Sequence, residues 1–227
     1  MTDKKTSVAL VIGASRGLGL ECVRQLLDSG ARVIATVRSA AARAELEAMG
    51  AEVLTVDVAD PASISSLSWQ LDGEKIDLAL YVAGVSRHPN ATTPPTQQDF
   101  DAVMRTNVLG AMQAIPQVAP LVEEAGGVFA FVSSSMGQIA SVTDSYAWLY
   151  RTSKAALNMA VAAAQNDYPR ATLLTIAPGW VQTDMGGADA PLTAEQSVRG
   201  MLATLASVTE ADRGQLLHHD GSRSTHW

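Results

Sequence analysis

Seven short runs dominated by Val, Ile, Leu and Ala recur along the 227-residue chain: SVALVI (7–12), ARVIATV (31–37), AEVLTV (51–56), IDLALYV (76–82), GVFAFV (127–132), ATLLTIA (171–177) and GQLLHH (214–219). The segments between them are long enough for helices, so the order reads strand, helix, strand, helix throughout. Runs that are apolar on both faces leave neither face to water and belong in a parallel sheet covered on both sides. The expectation is an α/β protein, a doubly wound parallel sheet of about seven strands with helices on both faces. No internal repeat, low-complexity tract or Gly/Ser linker marks a boundary, so residues 1–227 read as a single domain.

With 47% hydrophobic and 17% charged residues the chain has the apolar content for a sizeable core. A net charge of −7 repels phosphate backbones, which argues against nucleic acid as a partner. The amino-terminal MTDKKTS lacks the apolar stretch of a secretory signal, and no apolar run is long enough to cross a bilayer, so a cytoplasmic protein without a membrane partner is expected. Cys22 is the single cysteine and cannot form an intramolecular disulfide. His88, His218, His219 and His226 lack metal-ligand spacing with it, so no metal is expected.

GASRGLG follows the first apolar run directly, with Gly13, Gly17 and Gly19 separated by Ser15, Arg16 and Leu18, and the amphipathic LECVRQLLDS follows it. Such a turn frees backbone N–H groups for close approach by a pyrophosphate, and the helix amino terminus adds its partial positive charge. The pattern points to a dinucleotide site. About 20 residues on, where an acidic side chain would accept from the ribose 2′-OH of NAD, the sequence has Arg38 and Ser39. A cation there suits a 2′-phosphate, and Arg16 is placed to reach the same group, so NADP(H) is preferred over NAD(H). Either arginine also fits a solvated surface position.

Tyr150 and Lys154 begin YRTSKAALNMAVAAAQ, a run of strong helix formers in which residues four apart share a face. A free phenol, with a pKa of about 10, exchanges protons poorly near neutrality, and an adjacent ammonium is expected to lower that value. The pair reads as a general acid/base, donating a proton to a carbonyl or taking one from an alcohol.

The glycine loop, Tyr150-x-x-x-Lys154, YVAG (81–84), NVLG (107–110), VSSSMG (132–137) and PGWVQTDM (178–185) occur in the order found in short-chain dehydrogenases/reductases. The resemblance covers nearly the whole chain. YRTSKAALN and PGWVQTDMGG look like the small carbonyl-reductase branch related to sniffer and the C-factor signalling protein. It implies a Rossmann fold and NAD(P)-dependent oxidation or reduction of alcohols and carbonyls. Carried over, the family serine that positions the substrate oxygen falls on Ser134, with Ser133 and Ser135 leaving the register open by one. Asn107 matches the asparagine of the proton relay, although Asn also satisfies buried backbone. Lys154 would bind the nicotinamide ribose as well as tune Tyr150. Asp57 and Val58 would flank the adenine, Ala83 and Gly84 would line the cofactor, and Pro178, Gly179, Val181 and Thr183 would follow the nicotinamide.

Met136, Trp148 and Trp180 are candidates for an apolar substrate wall, though such residues are commonly core. The loops 84–98 and 183–193 follow strands at the ligand-binding edge of the sheet and are candidates for covering a substrate. The sequence departs from the family in Ile12 where threonine is frequent, in Tyr81 and Val82 where two asparagines precede Ala-Gly, and in Ala177 where the branch often has histidine. A sensor that binds NADP without turnover is the alternative reading. An epimerase or dehydratase would call for a larger carboxyl-terminal substrate region. The segments 112–124 and 155–165 match helices through which family members pair, so a homodimer or homotetramer is expected.

Overall fold

The computed structural model describes residues 6–225; His226 and the segment 1–5 lie outside the described residues. Each of the seven apolar runs contains a strand: β1 (Val8–Ile12), β2 (Arg32–Val37), β3 (Glu52–Thr55), β4 (Leu78–Tyr81), β5 (Val128–Val132), β6 (Thr172–Ala177) and β7 (Leu216–His218). They form one sheet in the order β3-β2-β1-β4-β5-β6-β7, every pair parallel. Leu10 of β1 pairs with Ile34 on one side and Ala79 on the other, so β1 is where the winding reverses. Such a reversal leaves a crevice at the carboxyl ends of the flanking strands.

The helices are α1 (Gly17–Asp28), α2 (Ala40–Ala48), the short α3 (Pro61–Ile64) and α4 (Leu67–Gln70), α5 (Gln97–Met104), α6 (Gly110–Ala125), α7 (Trp148–Ala164) and α8 (Ala194–Leu205). Alternation along the strands sorts the core into two layers. Leu10, Ile12, Phe129 and Phe131 pack with Val118, Val122, Leu157 and Val161 under α6 and α7. Ala9, Val11, Leu174 and Ile176 pack with Val23, Leu26, Val198 and Met201 under α1 and α8. Both faces are therefore sealed, as runs without polar alternation require.

Ser39, Asp60, Thr96 and Thr193 accept from backbone N–H groups and cap α2, α3, α5 and α8, the last in a reciprocal box with Gln196. α1 and α7 have no side-chain cap. Between α5 and α6 the helix widens into a π-turn at Arg105–Leu109, with Asn107 fully buried in it.

Candidate active site

The crevice at the end of β1 is lined by Gly13, Ser15, Arg16, Gly17, Leu18, Gly19, Arg38, Asp57, Val58, Ala83, Gly84, Tyr150, Lys154, Pro178 and Thr183, all singled out in the sequence. Ser133, the alternative register for the family serine, lines it too, whereas Thr36, Val37, Val56, Val82, Val85, Thr106, Val132, Asp184 and Met185 line it without having been assigned to the site from the sequence.

Gly19 has to be glycine because a Cβ there would lie 2.2 Å from the Gly13 carbonyl oxygen, and Gly17 adopts φ +55. The loop lacks the family threonine, but the Gly13 N–H donates instead to the Thr36 hydroxyl at 3.1 Å. Arg16 occupies the cap position of α1 without capping it, which leaves first-turn N–H groups free for an anion. Arg38 is exposed and has no acidic partner among the described residues. A glycine-rich turn, an uncapped helix start and a guanidinium without an acidic partner among the described residues fit a nicotinamide dinucleotide.

The catalytic candidates meet where β5 ends. Tyr150 and Lys154 share one face of α7, with the ammonium 5.6 Å from the phenol ring centroid. Lys154 is only 4% exposed, and its Nζ donates to the Val132 carbonyl oxygen at 2.8 Å. Gly137 lets the turn after β5 settle on α7, since a Cβ there would lie 2.9 Å from Lys154 Cβ. The three neighbouring serines separate cleanly. Ser133 is buried and its hydroxyl donates to Asn158 Oδ1 at 2.6 Å, Ser135 is exposed, and Ser134 Oγ accepts from Met136 N–H at 3.1 Å beside the Tyr150 phenol.

The electrostatics differ from the sequence expectation. Burial pushes the Tyr150 phenol up to about 12, with the Ser134 hydrogen bond opposing it, and burial pulls the Lys154 ammonium down to about 8. The ammonium was expected to lower the phenol; burial is instead the largest influence on each group and disfavours its charged form.

The Asn107 side chain is fully engaged in hydrogen bonds. Its Oδ1 accepts from Val85 N–H at 2.8 Å, and its Nδ2 donates to the Val85 carbonyl and to the Ser153 hydroxyl, each at 2.9 Å. The side chain ties the exit of β4 to α7. Tyr81, standing where the family has asparagine, anchors the same strand by donating to the Thr106 carbonyl at 2.7 Å.

Gly179 and Val181 do not line the crevice. They shape the segment behind it: Gly179 has φ +82 against Leu192 and His219, and Val181 bridges to Leu192. Met136, Trp148 and Trp180 lie outside the crevice as well, and Trp180 is 57% exposed with its indole N–H donating to the Gly186 carbonyl. Among the described residues no His/Cys/Asp/Glu group could hold a metal, and no helix is long and apolar enough to cross a membrane.

The family model for short chain dehydrogenase matches residues 7–191. The chain belongs to the short-chain dehydrogenase family. It is thus an NAD(P)-dependent oxidoreductase acting on small molecules. Among this dehydrogenase's relatives, C-signal of Myxococcus xanthus is 38% identical over 150 residues, covering 65% of this chain and 90% of that protein. A Burkholderia multivorans short-chain dehydrogenase/reductase solved with bound NADP superposes at TM-score 0.86 with 32% identity, covering 98% of this chain and 100% of that one. The carbonyl reductase Sniffer of D. melanogaster superposes at 0.87 with 26% identity, covering 98% and 99%. The branch resemblance read from YRTSKAALN and PGWVQTDMGG agrees with these neighbours.

Proposed function

We propose that this dehydrogenase is an NADPH-dependent carbonyl reductase, running carbonyl to alcohol or the reverse. The observation that carries the reading is the pairing of Tyr150 and Lys154 side by side on the wall of the crevice, with Ser134 next to the Tyr150 phenol. Bound dinucleotide supplies or takes up the hydride. Ser134 holds the substrate oxygen, and Tyr150 Oη donates the proton to it; a phenol held at about 12 stays protonated at neutral pH, which suits donation. Lys154 carries its charge below about 8 and offers its remaining N–H groups to the ribose and the relay. Asn107 supports that relay by fixing the strand exit against α7.

The preference for NADP(H) rests on Arg38. No acid stands at the end of β2 to accept from a 2′-OH, and Ser39 is occupied as the cap of α2. Asp57 and Val58 would flank the adenine, and Pro178 and Thr183 the nicotinamide end. Exposed Leu109, Met112 and Met159 on and beside α6 and α7 support pairing through those helices into a homodimer or homotetramer.

The test is loss of NADPH absorbance against a panel of aldehydes, ketones and quinones. Turnover of at least one carbonyl is expected. Tight NADPH binding without turnover of any would favour a nucleotide sensor instead.

A further inference from the structure

Arg16 and Asp184 stand 168 positions apart in sequence, yet Arg16 Nη1 donates to Asp184 Oδ2 at 2.6 Å. The pair joins the glycine loop to the segment after β6, and both residues line the crevice. The two segments lie close beside it as well, since a Cβ added to Gly17 would come within 3.5 Å of Thr183 Cγ2. Behind the pair the 183–187 segment is a compact turn, with Gly187 N–H donating to the Thr183 carbonyl at 2.9 Å and Gly186 N–H to the Thr183 hydroxyl at 3.1 Å. One ion pair therefore holds that turn against the glycine loop.

Both side chains are largely exposed, 72% for Arg16 and 77% for Asp184, so water screens their attraction and the pair is easily exchanged. A phosphate carries more charge than a carboxylate and binds a guanidinium through two parallel hydrogen bonds, so it is the stronger competitor for Arg16. Arg38, on the same crevice, has no carboxylate partner among the described residues. The two arginines thus differ: one receives a phosphate without exchange, the other only by releasing Asp184.

We propose that Asp184 sets cofactor discrimination by competing with the 2′-phosphate of NADP(H) for Arg16, so that phosphate binding breaks the Arg16–Asp184 pair and frees the 183–187 turn. This rests on the cofactor reading above. A nucleotide without the 2′-phosphate leaves the pair intact and the turn in place. Trp180 reports the state of the turn, because its indole N–H donates to the Gly186 carbonyl at 2.7 Å.

The experiment measures Kd for NADPH and NADH by titration calorimetry on the native protein, Asp184→Asn, Arg16→Gln and the double variant, and follows tryptophan emission in parallel with Trp180→Phe as control. Asp184→Asn is expected to tighten NADPH about threefold, the range of a screened surface pair, and to leave NADH unchanged. In the Arg16→Gln background the same substitution should have no effect on either nucleotide. NADPH should perturb emission of the native protein more than NADH, and Trp180→Phe should remove the difference. Equal tightening of both nucleotides, or tightening of NADPH that persists without Arg16, would mean simple charge repulsion and overturn the proposal. Weaker NADPH binding in Asp184→Asn would overturn it too, since the pair would then be clasping the bound cofactor. Native protein that binds neither nucleotide would sink the cofactor reading itself, whereas binding with an unchanged NADPH/NADH ratio in Asp184→Asn would sink only the competition.

Discussion

Lys154 Nζ donates to the carbonyl oxygen of Val132 at 2.8 Å, so the helix that carries Tyr150 is fastened to the last residue of β5. The fastening uses a cation in a buried place, which makes it costly. Burial holds the ammonium near 8, below its ordinary 10.5. Lys154→Met should abolish turnover yet raise the Tm of the nucleotide-free protein at pH 7.

The sign of its pH dependence follows from linkage. Below about 8 both folded and unfolded chains carry the Lys154 proton; between that value and 10.5 only the unfolded chain binds it, so native stability rises with pH there. The Tm advantage of Lys154→Met should therefore shrink between pH 8 and 10. An advantage that widened in thermal melts across that range would contradict the burial argument.

One turn beyond Lys154, Asn158 accepts from Ser133 and adds a second tie between α7 and β5. Asn158→Ala leaves the buried Ser133 hydroxyl unpaired and should cost about 1–3 kcal/mol of stability. Because Ser134 is the next residue, kcat should fall while the Kd for NADPH changes little. Steady-state kinetics beside nucleotide titration checks the split; equal losses in both would mean general loosening.

Gly19→Ala sets two effects against each other. Alanine favours a helix by up to about 1 kcal/mol over glycine, but this Cβ would meet the Gly13 carbonyl oxygen at 2.2 Å. The backbone clash wins, and the loop shifts. NADPH affinity should fall about tenfold or more, equivalent to about 1.4 kcal/mol, with a smaller change in Tm.

Much of this was legible in the sequence because it is local. Seven apolar runs without polar alternation can hardly be anything but buried parallel strands, and glycine spacing and Tyr-x-x-x-Lys are read within a few residues. What was missed depends on distant partners or on burial. Nothing in the sequence shows Asp184 facing Arg16, or Thr36 supplying the hydroxyl that Ile12 lacks. Ala147 enters α7 at φ +55, a left-handed conformation that alanine does not announce. The π-turn around Asn107 has no sequence signature either. The direction of the Tyr150 shift required knowing how much water both groups lose, which spacing cannot convey.

Asp212 is fully buried and is held by Arg223, whose Nη2 donates at 3.0 Å, and by the Thr209 N–H and hydroxyl. The Arg223 guanidinium holds the Asp212 carboxyl below its ordinary value. Arg223→Gln should lower Tm at pH 7, and only modestly, because Arg223 is itself half exposed and water screens the pair. A lowered carboxyl contributes stability above its unfolded pKa, about 4, and loses it as pH falls through the folded value. The Tm gap between native and variant should therefore close on acidification; a gap unchanged from pH 7 to pH 3 would assign the loss to packing alone.

The central claim is that Tyr150 moves the proton. The most direct measurement compares NADPH oxidation and NADPH binding in native protein and Tyr150→Phe with the best carbonyl from the panel. The account predicts turnover reduced by about 10²-fold or more with NADPH Kd within a few-fold of native. Comparable turnover in the two proteins would contradict it.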